Sequence, residues 1–299
     1  MGMLGCGLVG TAIAHRLAAA GVRIAGHDID AGRRPTFERT GGRWCDAAAD
    51  ALGASDVLLL ALPDTRAAEA VLDSLTTPEA LRTRTVGTVI DFGTDDPERV
   101  RRLAEKLAAH GIALIDAPLS GSSAQIADDE SVMMIGGDAA AIARVDTLLV
   151  MVASRRFVIG ASGSGARAKL ATNLVLGLNR AALAEGFALA ETLGIDLGVF
   201  LTLVRAGPAW SAAADAKGGK MLRADYSAQS RIRQHRKDVA LMIDIGRRLG
   251  QSLPLSEAHA ALLDAAIAAG DGERDNAAIL EQFRRLRFPR MPSPTQEKP

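Results

Sequence analysis

Met1-Gly2-Met3-Leu4-Gly5-Cys6-Gly7-Leu8-Val9-Gly10 is the stretch whose reading decides the fold. A short apolar run, Met1–Leu4, gives way to glycines spaced G-x-G-x-x-G and then to a helical pattern, Val9–Ala20. In that arrangement Gly5 makes the tight turn, Gly7 lets the backbone approach a phosphate, and Gly10 lets the helix pack on the strand. The helix N-terminus then offers unpaired N–H groups and the positive end of its dipole to an anion. The pattern is short and glycine is common, so its weight comes from context. The next strand candidate, Val22–His27, leads to Asp28, 18 residues beyond Gly10. A carboxylate there accepts hydrogen bonds from ribose hydroxyls and repels a 2′-phosphate, which points to a dinucleotide, NAD preferred over NADP. Arg33 and Arg34 read as a solvated loop.

Outward from this unit, apolar strand candidates recur at Val57–Ala61, Val86–Phe92, Ala113–Asp116, Val132–Ile135 and Phe157–Ile159. Amphipathic segments Thr65–Ser74, Pro97–His110 and Ala139–Val150 lie between them. Strand and helix in alternation imply a mainly parallel, doubly wound sheet of Rossmann type. After Gly163-Ser164-Gly165 the pattern becomes all helical, beginning with a long interdomain helix, about Ala166–Leu193, that ends at Gly194. The expected domains are 1–163, a dinucleotide-binding domain, and 164–287, an all-α domain for substrate and dimerisation. Residues 288–299 carry four prolines and no apolar period and read as a flexible tail.

Composition narrows the partners. The 35 basic and 35 acidic side chains cancel and aromatics are 3%, so neither a nucleic acid nor a membrane surface is an expected partner. Two cysteines, Cys6 and Cys45, exclude a disulfide scaffold and suit a reducing compartment. The N-terminus lacks the basic and apolar regions of a signal peptide. The apolar stretch Leu170–Leu189 is broken by Asn173, Arg180 and Glu185, so it reads as a buried helix rather than a span. A cytoplasmic location is expected. Five histidines show no ligand spacing, so no metal is implied.

Several motifs in order resemble one family. They are the loop Gly5-Cys6-Gly7-Leu8-Val9-Gly10, Leu62-Pro63-Asp64, Asp91-Phe92-Gly93-Thr94, Asp116-Ala117-Pro118-Leu119-Ser120-Gly121, Lys169-Leu170-x-x-Asn173, Glu185-Gly186 and Lys237-Asp238. Together the chain resembles the β-hydroxyacid dehydrogenases typified by 3-hydroxyisobutyrate dehydrogenase. The resemblance implies that Lys169 exchanges a proton with a substrate hydroxyl while hydride moves to or from the nicotinamide. It implies that Ser120, Gly121 and Ser122 hold the substrate carboxylate and that Asn173 hydrogen-bonds the substrate. It places Gly5, Cys6, Gly7, Leu8, Val9, Gly10, Leu62, Pro63, Thr94 and Lys237 at the cofactor, beside Asp28 already read there, and implies a homodimer or homotetramer acting on a carboxylate-bearing hydroxy acid or semialdehyde. Independently, Lys169 and Asn173 at i and i+4 share a helix face, and a lysine losing hydration there has a lowered pKa.

The chain departs from the family's usual sequence at Thr172, Ser122, Asp129-Glu130 and Ser230, which suggests a wider, more polar pocket. In the basic stretch Arg231–Lys237, Arg233 and Lys237 at i and i+4 are candidates to receive a second anionic group; the alternative is a solvated helix face. Two other functions stay open at this stage. One is an imine reductase of the same architecture, against which Lys169 argues, and the other is a non-catalytic dinucleotide-binding module.

Overall fold

A computed structural model describes residues 1–53, 56–83 and 85–287. The expected tail, 288–299, lies outside the described residues. Packing divides the chain into two compact units. The first contains Met1–Val175 and Lys237–Ser252; the second contains Leu176–Arg236 and the chain from Leu253 onward. Compared with the expected boundary at 163, the start of the long helix and the segment Lys237–Ser252 pack with the first unit. Among the described residues, no helix is long and apolar enough to cross a membrane.

Among the described residues, the first unit is built on nine strands: β1 (Gly2–Leu4), β2 (Ala25–His27), β3 (Arg43–Trp44), β4 (Val57–Leu60), β5 (Thr88–Asp91), β6 (Ala113–Asp116), β7 (Leu119–Ser120), β8 (Val132–Gly136) and β9 (Arg155–Gly160). The order β3-β2-β1-β4-β5-β6 is parallel throughout. β8 joins antiparallel to β6 and β7, and β9 pairs parallel to β8. Because successive strand residues point to opposite faces, the short apolar runs feed two cores. Met3, Leu59, Ile90 and Ile115 belong to one cluster, and their neighbours Leu4, Leu58, Leu60, Val89 and Leu114 to the other. Both faces are covered, which is why these strands read as continuous apolar runs rather than alternation.

Two-residue strands β3 and β7 escape a reading by pattern because neither is long enough to show a period. The apolar run Phe157–Ile159 does form part of β9, but as an edge with all three side chains exposed. The sheet reverses winding direction between β1 and β4, and open α/β sheets bind ligands outside the strand ends at that point.

The second unit is helical, formed by the later part of Ser164–Thr192, by Leu197–Ala206, Ala212–Arg223, Pro254–Ala268 and Ile279–Arg285, with the first turn of Ile232–Arg248. The long helix ends where Gly194 adopts φ +74°, the left-handed conformation open to glycine at low cost. Asp275, fully buried, organises this unit: its carboxylate accepts from Lys217 Nζ at 2.9 and 3.0 Å and from the N–H groups of Gln229, Ser230 and Ala277. Close by in the same unit, the buried rings of His235 and His259 lie 5.2 Å apart, centroid to centroid, in the space left by Gly177. Burial first, and then the Arg180 charge, push His259 down to about 4.

Two outcomes follow from these buried groups. Asp275→Ala strands Lys217 without its counter-charge and should cost about 3–5 kcal/mol in chemical denaturation, the range for breaking a buried pair. His259 favours the neutral ring when folded, so its contribution is full above its unfolded pKa near 6.5. That contribution should be lost as pH falls from there toward about 4, seen as a declining thermal midpoint, and His259→Phe should flatten the decline.

Candidate active site

The glycine loop lies between β1 and the helix Leu8–Ala19. Gly5 has φ +93°, and a Cβ there would lie 2.4 Å from the Ala61 carbonyl oxygen; a Cβ on Gly10 would lie 2.0 Å from that of Gly5. Gly7 is different, with nothing within 4 Å of the place its Cβ would take. The helix that follows has no side-chain cap and no acidic residue in its first turn. Its free N–H groups and the open side of Gly7 therefore form a cradle that fits a pyrophosphate.

Asp28, just past β2, ties this loop down. Its Oδ2 accepts from Cys6 N at 2.7 Å and its Oδ1 from Asp30 N at 2.9 Å, leaving each oxygen a further lone pair for a ribose hydroxyl. Cys6 is buried, and burial together with Asp28 and Cys45 pushes its thiol up to about 12, so it packs rather than reacts.

On the other side of the switch point, Lys237 links two loops. Its Nζ donates to Pro63 O (2.9 Å), after β4, and to Thr94 O (3.1 Å), after β5, and lies 3.1 Å from Asp238 Oδ1. Thus the structure brings Pro63, Thr94 and Lys237 together, with Leu62 partly buried beside Pro63. Beneath Thr94, Asp91 and Asp95 crowd the same side of Gly93, whose Cβ would meet Asp95 Oδ2 at 2.3 Å and Asp91 Oδ1 at 3.0 Å. Burial, and then the charge of Asp95, hold Asp91 well above the usual carboxylate range.

The helix Ser164–Thr192 starts against the end of β6. Asp116 accepts there from Gly163 N at 2.8 Å and Ala166 N at 2.9 Å. Gly136 and Gly165 make this approach possible, since a Cβ on either would lie under 3.0 Å from an Asp116 carboxylate oxygen. One and two turns on, Lys169 and Asn173 are both buried, at 8% and 7% exposure. Lys169 Nζ donates to Leu119 O at 2.7 Å, and Asn173 Nδ2 to Asp238 Oδ2 at 3.5 Å, the long end of a hydrogen bond. Burial lowers Lys169 to about 8; Asp238 resists the shift and Lys237 adds to it. An amine that titrates near neutrality can both take and give a proton. Thr172 turns away, its hydroxyl satisfied by Ala168 O within the helix.

The Ser120-Gly121-Ser122 segment is more structured than a free loop. Ser120 ends β7, whose Leu119 carbonyl meets Lys169. Ser122 caps the short helix Ser123–Ala127 in a reciprocal capping box with Gln125, so its hydroxyl oxygen and N–H are engaged locally. Arg233 lies in the second unit, 62% exposed at its side chain and paired with Glu273 at 2.9 Å. Among the described residues, no group of three or more His, Cys, Asp or Glu side chains could hold a metal ion. Asp238 and Asp116 stand in motifs of the sequence, Asp116 as a structural hydrogen-bonding residue at a strand end, but the sequence names no partner for either. Spacing gives no sign of either, because their partners are 65 and about 50 positions away.

Known proteins match this arrangement along the whole chain. A family model described as the NAD binding domain of 6-phosphogluconate dehydrogenase covers residues 1–160. A second, described as NAD-binding of NADP-dependent 3-hydroxyisobutyrate dehydrogenase, covers 163–283. The L-threonate dehydrogenase of Cupriavidus necator is 29% identical over 97% of both chains. The 2-hydroxy-3-oxopropionate reductase of Escherichia coli is 26% identical over 94% of this chain and 96% of its own. A crystal structure of 3-hydroxyisobutyrate dehydrogenase from Salmonella typhimurium superposes with a TM-score of 0.82 at 26% identity, covering 94% of this chain and 98% of that one. With its phosphate cradle, its buried lysine and these matches, the chain belongs to the β-hydroxyacid dehydrogenase family, the NAD(P)-dependent oxidoreductases of 3-hydroxyisobutyrate dehydrogenase type.

Proposed function

We propose that the protein interconverts a small, polar β-hydroxy acid and its semialdehyde or keto acid, with NAD as cofactor and Lys169 as the acid–base group. The observation that carries this reading is the buried Lys169 ammonium, anchored on Leu119 O and titrating near 8. A nicotinamide dinucleotide held by the Gly5–Gly10 loop would supply the hydride chemistry. In oxidation the neutral Lys169 amine takes the hydroxyl proton as the C–H hydride leaves; in reduction the ammonium returns it. Asn173 orients the substrate hydroxyl, and Ser120 with the Gly121 backbone receives the carboxylate. Ser122 contributes through the cap that fixes this segment.

The phosphate cradle of Gly5–Gly10 holds the pyrophosphate, and Leu62, Pro63, Thr94 and Lys237 border the nicotinamide half. Preference for NAD is supported by the charges around the ribose end. The carboxylate of Asp28, just past β2, would repel a 2′-phosphate, and the next side chain, Ile29, is fully exposed and uncharged. Arg33 is paired with Asp30 at 3.0 Å, and Arg34 with Glu38 at 2.9 Å. A polar substrate is supported by the names of two relatives, a threonate dehydrogenase and a hydroxy-oxopropionate reductase. The charge of Arg233 is already met by Glu273 and has no part in the proposal. The buried, reduced Cys6 and Cys45 suit a cytoplasmic setting. Exposed Leu189, Leu193, Val199 and Leu203 in the second unit favour self-association, as a dimer or tetramer.

Lys169 also separates this reading from imine reduction, which needs no partner for an alcohol proton at this position. Lys169→Ala should lower turnover of hydroxy acids by about 10²–10⁴-fold while NADH still binds, measured by absorbance and by fluorescence titration. Near-normal turnover would remove Lys169 from the chemistry, and faster turnover of cyclic imines than of semialdehydes would replace the proposed reaction. In wild type, kcat/KM should be greater with NAD than with NADP. Ile29→Arg, at a fully exposed position, should raise the use of NADP without loss of thermal stability. Equal use of both cofactors by the wild type would overturn the preference.

A further inference from the structure

Asp238 stands beside the Asn173 amide and the Lys237 ammonium, and its charge acts on Lys169, the proposed acid–base group. It lies on the helix Ile232–Arg248, 6% exposed, within the first unit. One carboxylate oxygen is 3.1 Å from Lys237 Nζ, and the other accepts from Asn173 Nδ2 at 3.5 Å. The same carboxylate is the charge that resists the loss of the Lys169 proton under burial. A carboxylate is costly to bury unless cations and donors surround it, and here Asn173, Lys237 and Lys169 all belong to the proposed chemistry.

We propose that Asp238 is a positioning residue for the reaction: its carboxylate orients the Asn173 amide, holds the Lys237 ammonium between two loops, and supplies the negative charge that keeps Lys169 poised to give and take a proton. The proposal rests on the acid–base reading of Lys169. The orientation of Asn173 has a chemical consequence. An amide that turns its NH2 to a carboxylate must turn its oxygen the other way. Asn173 Oδ1 is then an acceptor, suited to a substrate hydroxyl as its donor.

The charges of Lys169, Lys237 and Asp95 around this centre give the sign of the effect. Lys169 faces it from the helix Ser164–Thr192, and Lys237 is its neighbour on the helix Ile232–Arg248. From the turn after β5, Asp95 is affected by Asp238, Lys237 and Asp64, and burial keeps Asp95 raised. Without the Asp238 charge, burial and Lys237 act on Lys169 together, and both favour the neutral amine. Its proton is then lost at lower pH.

The test is the pH profile of kcat/KM for hydroxy-acid oxidation at saturating NAD, in wild type, Asp238→Asn and Asp238→Glu. The wild-type rate rises as Lys169 deprotonates near pH 8. Asp238→Asn should move that limb down by about one pH unit or more and raise KM, because Asn173 loses its orienting partner. Asp238→Glu should restore the limb. The same displacement should appear without cofactor or turnover, in an NMR titration of labelled lysine side chains of the free protein, with Lys169 assigned by its substitution. Where Asp238→Asn does not fold, Asp238→Ser takes its place, and added formate should move the limb back. An unmoved limb in these variants, with Lys169→Ala still inactive, overturns the role of Asp238 and leaves the acid–base reading standing. A Lys169→Ala protein of near-normal turnover instead overturns the reading beneath it.

Discussion

The carboxylate of Asp116, at the end of β6, receives the first free N–H groups of the helix that carries Lys169 and Asn173. A buried carboxylate is expensive, and burial does raise its pKa; the N–H groups of Gly163 and Ala166 work against that shift. The positive end of the helix dipole adds to the compensation. Because the helix is rigid once its start is fixed, this one contact sets the depth at which Lys169 meets Leu119 and Asn173 meets Asp238. Three glycines serve the contact by their lack of a side chain. Gly136 and Gly165 leave room for the carboxylate, and Gly163, at φ +89°, turns the chain against Pro97 O.

The same economy of space governs the phosphate cradle. Gly5 and Gly10 bring strand and helix into backbone contact, while Gly7 stays open. Asp28 then acts twice. Its bond to Cys6 N fixes the loop, and in the proposed reading its remaining lone pairs and negative charge serve the ribose. Loop geometry and the proposed cofactor preference therefore rest on the same side chain, and substituting Asp28 alone would disturb both. The exposed Ile29 beside it is free of that coupling.

Around Lys169 and Lys237 the charges are arranged so that few of them remain uncompensated. Burial and the charge of Asp95 raise Asp91 well above the usual carboxylate range. Lys237 is held by two carbonyls and Asp238, and Lys169 by one carbonyl with Asp238 nearby. In a site of low effective dielectric such charges act strongly on one another. The titration of Lys169 is accordingly a property of the cluster rather than of the lysine alone.

The sequence by itself determined what rests on local periodicity and on residue types with a single physical use. The apolar runs and their helical intervals specify a doubly wound sheet, G-x-G-x-x-G after the first run specifies a dinucleotide cradle, and the change of pattern after Gly163 marks the passage to helices. Lys169 and Asn173 were legible as a pair because i and i+4 share a helix face. Tertiary structure alone decided the rest, for reasons of distance along the chain. Ser122 became a helix cap because Gln125 folded back on it, and Arg233 found Glu273, 40 positions away. The strand β7 exists only because β8 returns antiparallel beside it. Asp238 sits next to Lys237 in sequence, yet its meeting with Asn173 spans 65 positions. No local pattern encodes a contact of that range, because it arises only when two helices pack and a buried charge must find its partners.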